Sequence, residues 1–358
     1  MEPRLEDYHY DLPPEFIAQT PIEPRDASKL LVIRRDGGDF EHRTFRELPE
    51  YLRPGDALVL NQTRVIPARL HARKAATGGA VELLLVERHT DLRWLALVGG
   101  KRMRVGTRLE ILGAPLSAEI VEEQEEALRV VTFSEPIEPH LDAIGESPLP
   151  PYIHHKLEDP ERYQTVYARS PGSAAAPTAG LHFTPDLLLT LRDQGIKIIT
   201  CTLHVGLGTF LPVKPEQVLS KRLHAEHAEL PPEAARTLNE TRLAGGRIVA
   251  VGTTSVRTLE TAALHALGVT DVGGDNAYID ACPWKPVSAF SGSTQLFIMP
   301  GFRFRAVDVM ITNFHLPQSS LLMLVGAFAG RERILEAYHA AKTHGYRFYS
   351  LGDACLIL

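Results

Sequence analysis

The spacing of apolar and polar positions divides the chain into two kinds of segment. Between residues 57 and 133, apolar runs of strand length recur at 57–60, 81–86, 94–98, 108–112, 118–121 and 127–133. Gly78-Gly79, Gly99-Gly100 and Gly113 fall between them. Short runs separated by glycine-rich or polar turns, with no helical period among them, predict a small barrel or sandwich. The cluster Pro148, Pro150 and Pro151 closes this stretch and marks a boundary.

Beyond it the pattern alternates. Thr184-Pro185-Asp186 opens an apolar helix that ends near Gly195, with Thr as N-cap and Pro in the first turn. Residues 197–203 predict a strand, 232–243 an amphipathic helix stopped by Gly245-Gly246, and 247–251 a strand. Residues 254–267 predict a helix closed by Gly268, and 306–311 a strand. Two helices, at 319–330 and 331–344, and a last strand at 346–350 follow. Strands alternating with helices predict an α/β sheet.

Composition narrows the class. The 358 residues are 44% hydrophobic and 23% charged, which excludes a disordered or collagen-like chain and leaves material for a sizeable core. A formal charge of −6 argues against a chain that binds nucleic acid over its whole surface. The charge is nevertheless polarised. Residues 61–108 hold ten Lys/Arg against three acids, about +7, and residues 109–149 one Arg against ten acids, about −9. Cys201, Cys282 and Cys355 are widely separated and form no CxxC pair. The longest apolar stretch, 319–330, is too short to span a bilayer, and the N-terminus is charged without a signal-peptide core. We expect a cytoplasmic protein without a membrane segment, and a monomer.

Three predicted strands run into polar segments: 197–203 into His204-Val-Gly-Leu-Gly-Thr-Phe210, 247–251 into Gly252-Thr-Thr-Ser-Val-Arg257, and 307–311 into Thr312-Asn-Phe-His-Leu-Pro317. Open α/β sheets bind ligands at the carboxyl ends of their strands. If these strands are neighbours, His204, Thr253, Thr254, Asn313 and His315 share one rim. Gly252-Thr253-Thr254-Ser255 precedes a helix. It is either an anion site made by free amides or a capped tight turn. It lacks the Lys and glycine spacing of a phosphate-binding P-loop, and no GxGxxG follows a strand. The run of small residues before His182 permits close backbone approach to a ligand or a plain tight chain crossing. Arg222-Leu-His224-Ala-Glu226-His227 raises a metal-dependent hydrolase using His204, His224, His227 and His315 as an alternative, although the HExxH spacing is missing. Lys101, Arg102 and Arg104, with Arg64, Arg69, Arg73 and Lys74, are either phosphate contacts or a solvated strand face.

Taken together, eight motifs resemble the S-adenosylmethionine:tRNA ribosyltransferase-isomerases of queuosine biosynthesis, in order along nearly the whole chain. They are Tyr10-Asp-Leu-Pro, Asn61-Gln-Thr-Arg-Val-Ile-Pro-Ala-Arg69, Tyr163-Gln-Thr-Val-Tyr167, Ala176-Pro-Thr-Ala-Gly-Leu-His-Phe183, Leu203-His-Val-Gly-Leu-Gly-Thr-Phe210, Val251-Gly-Thr-Thr-Ser-Val-Arg257, Thr312-Asn-Phe-His-Leu-Pro317 and Gly352-Asp353-Ala354. The chain departs from the pattern at Gln62, Leu207 and His227.

The resemblance implies an α/β domain, which we bound at 1–62 and 150–358, carrying an inserted small antiparallel β-barrel domain at 63–149. It implies transfer and isomerisation of the ribosyl part of S-adenosylmethionine onto 7-aminomethyl-7-deazaguanine at the tRNA wobble position, with release of methionine and adenine. S-adenosylmethionine is then a consumed substrate, and neither a metal nor a redox cofactor is expected.

That chemistry needs a base beside the sulfonium and an acid for the departing adenine. On this reading His182, His204, Glu226 and His315 form the acid/base set. Asn61, Thr63, Arg64, Arg69, Thr178, Gly180, Gly206, Gly208, Thr209, Thr253, Thr254, Ser255, Arg257, Asn313 and Asp353 contact substrate. Among these, Arg257 and the Thr253–Ser255 amides would hold a carboxylate or phosphate, and Asp353 would orient the substrate amine. Arg73, Lys74, Lys101, Arg102 and Arg104 contact tRNA.

Overall fold

The computed structural model describes residues 4–125, 127–155, 157–206, 213–282 and 284–358. In chain order the first elements are β1 (Lys29–Ile33), β2 (Glu41–Thr44), β3 (Ala57–Asn61) and β4 (Thr63–Val65). Then come β5 (Arg69–Lys74), β6 (Ala80–Arg88), β7 (Arg93–Gly99), β8 (Arg108–Ile111), β9 (Ser117–Glu123), β10 (Leu128–Phe133), α1 (Leu141–Ile144) and β11 (Ser170–Ser173). They are followed by α2 (Pro185–Asp193), β12 (Lys197–Leu203), α3 (Pro215–Ser220), β13 (Arg222–Leu230), α4 (Pro232–Leu243), β14 (Ile248–Val251) and α5 (Gly252–Ala266). The chain ends in β15 (Phe290–Leu296), β16 (Val309–Asn313), α6 (Ser320–Ala329), α7 (Arg331–Thr343) and β17 (Ala354–Ile357).

Two compact units result. One comprises the chain up to Thr63, Pro151–Ser170 and Ala176–Leu358. The other comprises Arg64–Pro150 and also Pro171–Ala175, a stretch that the sequence alone grouped with the α/β part.

The larger unit is an α/β fold built on a nine-stranded sheet in the order β15-β13-β12-β3-β14-β16-β17-β1-β2. Its centre, β12-β3-β14-β16, is parallel throughout. The central strands are apolar on both faces, as sheets covered on both sides require. In β3, Ala57 and Val59 face the helices α4 to α7, whereas Leu58 and Leu60 face α2 and the turn at Phe45–Glu50. At the amino ends of the strands, two carboxylates hold the backbone. Asp56 accepts from the amides of Arg53 (2.9 Å) and Arg247 (3.0 Å) and pairs with the Arg247 guanidinium. Asp308 accepts from the Ile248 amide at 2.8 Å and pairs with Arg242.

The smaller unit closes β10-β7-β6-β5-β8-β9 into an antiparallel barrel. Alternation fills it. Val81, Leu83 and Leu85 of β6 and Trp94, Ala96 and Val98 of β7 point inward, and the intervening Glu82, Leu84, Leu95 and Leu97 lie on the more exposed outer face.

Three expectations need correction. The run 57–60, grouped by pattern with the barrel strands, is β3 at the centre of the large sheet, and Arg69–Lys74 supplies the remaining barrel strand. Residues 346–350 are not a strand. The β-prone Tyr346, Phe348 and Tyr349 are buried by an aromatic cluster with Phe314, Tyr338 and Tyr10, and Tyr349 has φ +69°; the last strand is β17. Strands β1, β2, β13 and β15 are not singled out by the pattern. The last three lie at or next to the sheet edges, where one side stays polar.

Candidate active site

The strand registers decide what meets what. Cys201 pairs with Asn61, Ala250 with Val59 and Val251 with Ile311, so β12, β3, β14 and β16 end on one edge of the sheet. Antiparallel neighbours bring further residues to that edge. Leu203 pairs with Ala228, placing Glu226 and His227 there, and Asn313 pairs with Ala354, placing Asp353 there. Leu30 pairs in parallel with Ala354, so Ser28, just before β1, joins them.

At one end of the rim, the Asn61 side chain locks the ends of β3 and β12. Its Oδ1 accepts from the amides of Leu203 and Thr63, both at 3.1 Å, and its Nδ2 donates to the Leu203 carbonyl at 3.0 Å. Thr63, fixed in this way, holds His204 Nδ1 through its hydroxyl at 2.8 Å. Among the described residues the other ring nitrogen of His204, Nε2, has no hydrogen bond, and the ring lies parallel to His227 at 5.9 Å. Glu226, buried by the alternation of β13, accepts from the Gly206 amide at 2.9 Å through Oε1 and pairs with Arg257 Nη1 through Oε2.

Arg257 stands on α5 behind Gly252, whose φ of +82° lets the chain turn from strand to helix at once. Its Nε donates to the Leu296 carbonyl. Its Nη2 and the Thr254 hydroxyl are buried with no partner among the described residues. No side chain caps α5, so its first amides remain available. The Ser255 hydroxyl is not part of that site; it bonds the Val251 carbonyl at 2.7 Å.

At the other end a buried chain of contacts runs from Thr178 to Asn313 (2.9 Å), from Asn313 to His182 Nε2 (3.3 Å), and from His182 Nδ1 to Ser28 (2.8 Å). Both ring nitrogens of His182 are thus engaged. His315 Nε2 meets Thr312 Oγ1 at 2.8 Å, while the backbone of His315 is held by the hydroxyls of Tyr10 and Tyr338. Asp353, expected to orient the substrate amine, is bonded to backbone here. Its oxygens accept from the amides of Lys29 (3.0 Å) and Arg347 (2.8 Å), tying the start of β17 to that of β1.

Burial sets the charge of this rim. It pushes His182 down to about 3, with Arg347 and Arg25 adding to the effect, and His315 down to about 3. His204 is lowered by burial and by His227. All three imidazoles are therefore neutral near pH 7; burial holds His182 and His315 against protonation, and His204 keeps a ring nitrogen without a hydrogen bond among the described residues.

Of the remaining predicted residues, Gly180 leaves no room for a side chain, because a Cβ there would collide with the Tyr167 hydroxyl. Gly206 supplies the amide to Glu226. Gly208 and Thr209 lie outside the described residues. Arg64, Arg69, Arg73, Lys74, Lys101, Arg102 and Arg104 belong to the barrel unit. There Lys74 donates to the carbonyls of Lys101 (2.5 Å) and Arg102 (3.4 Å), holding their loop, and Arg69 faces Glu82 at 3.6 Å. Arg73, Lys101, Arg102 and Arg104 are exposed and make no ion pair among the described residues. Among the described residues no three His, Cys, Asp or Glu side chains converge to hold a metal, and His224 points to solvent from β13. Sequence reasoning did not find Ser28, Thr312 as the partner of His315, or Tyr338. Only the fold brings these single residues to the rim.

Comparison with known proteins decides the family. A profile described as "Queuosine biosynthesis protein" matches residues 5–357. The chain belongs to this family. It is 54% identical over 359 residues to the S-adenosylmethionine:tRNA ribosyltransferase-isomerase of Moorella thermoacetica, covering 99% of this chain and 100% of that one. It is 52% identical over 365 residues to the enzyme of the same name from Thermus thermophilus, covering 99% of both. The crystal structure of an S-adenosylmethionine tRNA ribosyltransferase from Thermotoga maritima matches with TM-score 0.54 and 40% identity, over 98% of this chain and 100% of that one. Among the described residues no helix is long and apolar enough to cross a membrane.

A prediction follows from the two deeply buried histidines. Unfolded, each titrates near 6.5; folded, near 3. The unfolded chain therefore takes up protons first. Their contribution to stability is complete above about pH 6.5 and is lost as pH falls towards 3, by up to about 1.4 kcal/mol per pH unit for each histidine. Urea unfolding between pH 7 and 5 is expected to show this slope, and His315→Gln should flatten it. Equal slopes in wild type and variant would contradict the buried neutral state.

Proposed function

We propose that this chain transfers and isomerises the ribosyl moiety of S-adenosylmethionine onto 7-aminomethyl-7-deazaguanine at the wobble position of tRNA, giving epoxyqueuosine-tRNA, methionine and adenine. The observation that carries the reading is the position of His204, with one ring nitrogen anchored and the other without a hydrogen bond among the described residues, on the same sheet edge as the start of α5 and Arg257.

The methionine carboxylate of the substrate fits the α5 end. Free first-turn amides and the unpartnered Arg257 Nη2 supply donors and positive potential. Glu226 serves this site by holding Arg257. Both its oxygens are engaged, so acting as a base would break a buried ion pair. The acid/base work falls to histidine. The sulfonium acidifies the adjacent 5′-carbon, and a neutral imidazole takes its proton; the freed electron pair forms a double bond to C4′ as the C4′–O bond breaks, and that ring oxygen becomes a carbonyl at C1′ as adenine is expelled. Adenine leaves with the electrons of its bond to the sugar and needs one proton, so the imidazolium can return the proton it took. His204 has the free nitrogen for this exchange. His182 holds the Asn313 end of the rim through both its nitrogens. No cofactor enters the scheme, since S-adenosylmethionine is consumed. A tRNA substrate places the reaction in the cytoplasm.

The modified base must leave the anticodon stack to reach any pocket. In the barrel unit, Arg73, Lys101, Arg102 and Arg104 offer unpaired charge for the tRNA backbone, with Lys74 fixing the loop that carries Lys101 and Arg102.

Incubation with S-adenosylmethionine and tRNA bearing the aminomethyl base should release adenine and methionine in step with tRNA modification. His204→Ala should slow this by about a hundredfold or more. Binding of tRNA without consumption of S-adenosylmethionine would make the chain a binding protein and refute the proposal. Replacing Lys101, Arg102 and Arg104 together by Gln should weaken tRNA binding and lower the slope of log K against log salt by about 2. An unchanged slope would return these residues to plain solvation.

A further inference from the structure

The segment Tyr163-Gln-Thr-Val-Tyr167 has no part in the chemistry described so far, yet three of its hydroxyls, those of Tyr163, Thr165 and Tyr167, are buried without a hydrogen-bond partner among the described residues. Residues 165–168 form a turn closed by the Ala168 amide on the Thr165 carbonyl at 3.1 Å. Thr165 is 4% exposed, and the Tyr167 ring packs against the core beneath α2. The hydroxyls of both are buried without a hydrogen-bond partner among the described residues. Leaving such groups unpaired costs about 1–3 kcal/mol each, and native folds seldom do so without a use.

The two side chains converge on one point. A Cβ built on Gly180 would collide with the Tyr167 hydroxyl and lie 2.9 Å from Thr165 Cγ2. Gly180 sits between Thr178 and His182, the residues that bind the two ends of the Asn313 amide. The absence of a side chain at residue 180 is what lets the Tyr167 hydroxyl and the Thr165 methyl pack against this turn. Burial pushes the Tyr167 phenol well above its ordinary range, so it stays a neutral donor. A buried pair of neutral hydroxyls is a poor place for a charge and a good match for groups that both donate and accept.

We propose that the Tyr167 and Thr165 hydroxyls bind the ribose hydroxyl edge of the substrate sulfonium nucleoside. The inference rests on S-adenosylmethionine being the substrate. Tyr167 and Thr165 then position the sugar against the histidine rim, and Gly180 is required for their approach.

The test separates the two levels. With wild type, Tyr167→Phe and Thr165→Val, kcat/KM for S-adenosylmethionine is measured at saturating modified tRNA. Inhibition constants are measured for S-adenosylhomocysteine, which lacks the reactive sulfonium, and for its 2′-deoxy and 3′-deoxy forms. Tyr167→Phe should lower kcat/KM by about tenfold to a hundredfold. In wild type, one deoxy form should inhibit at least about tenfold more weakly than the parent, and in Tyr167→Phe the two should be nearly equal. The variant's melting temperature should match or exceed that of wild type, because an unpaired buried hydroxyl is removed without loss of volume. Unchanged kcat/KM, an undiminished deoxy penalty in Tyr167→Phe, or a lower melting temperature would each overturn the assignment. A wild-type enzyme that does not consume S-adenosylmethionine would instead overturn the function on which it rests.

Discussion

The parallel alignment of β12, β3, β14 and β16 is the constraint on which the rest depends. Parallel strands end on the same side, so four separate loops must open along one edge. Antiparallel β13 and β17 then deliver their amino-terminal ends, with Glu226 and Asp353, to that edge. The side chain of Asn61 extends the β3–β12 pairing by two hydrogen bonds just where the strands stop, and a third fixes the Thr63 amide. Thr63, and through it His204, takes its place from that amide. At the opposite edge, Asp56 and Asp308 fasten the strand starts. The sheet is thus fixed at both ends, and its carboxyl edge gathers His204, Glu226, Arg257 and Asn313.

Burial gives this edge its electrical character. Three imidazoles are kept neutral, two of them by nearly complete removal from water. The buried guanidinium of Arg257 is balanced by Glu226 on one nitrogen and has no partner on another among the described residues. Such a pair contributes little net stability but is costly to break from one side, about 3–5 kcal/mol. Its value lies in position: a guanidinium held beside a helix start, where a carboxylate from a ligand can complete it.

Much of the α/β part is legible in the sequence because its signals are local. Thr184 caps α2 by accepting from the Leu187 amide at 3.1 Å, with Pro185 in the first turn, and the period of 232–243 matches α4 as observed. His204, Thr253, Asn313 and His315 are traceable because each follows an apolar run. The rest depends on distant packing. The edge strands β2, β13 and β15 are too polar to stand out, and the aromatic stretch 346–350 imitates a strand while serving a cluster. The partners of Glu226, Arg257 and the Gly206 amide, could not be read from the sequence, nor could those of Asp353, the amides of Lys29 and Arg347. Ser28, 154 residues from His182 in sequence, carries no local mark at all.

The most direct measurement is a crystal structure with modified tRNA and S-adenosylhomocysteine bound together. The account predicts the ligand on the carboxyl edge of the parallel strands. Its carboxylate should lie within hydrogen-bond reach of Arg257 Nη2 and the first amides of α5, with its 5′-carbon facing His204 Nε2. A ligand lodged at the opposite edge, among Asp56, Arg247 and Asp308, or one that leaves His204 and Arg257 untouched, would contradict it.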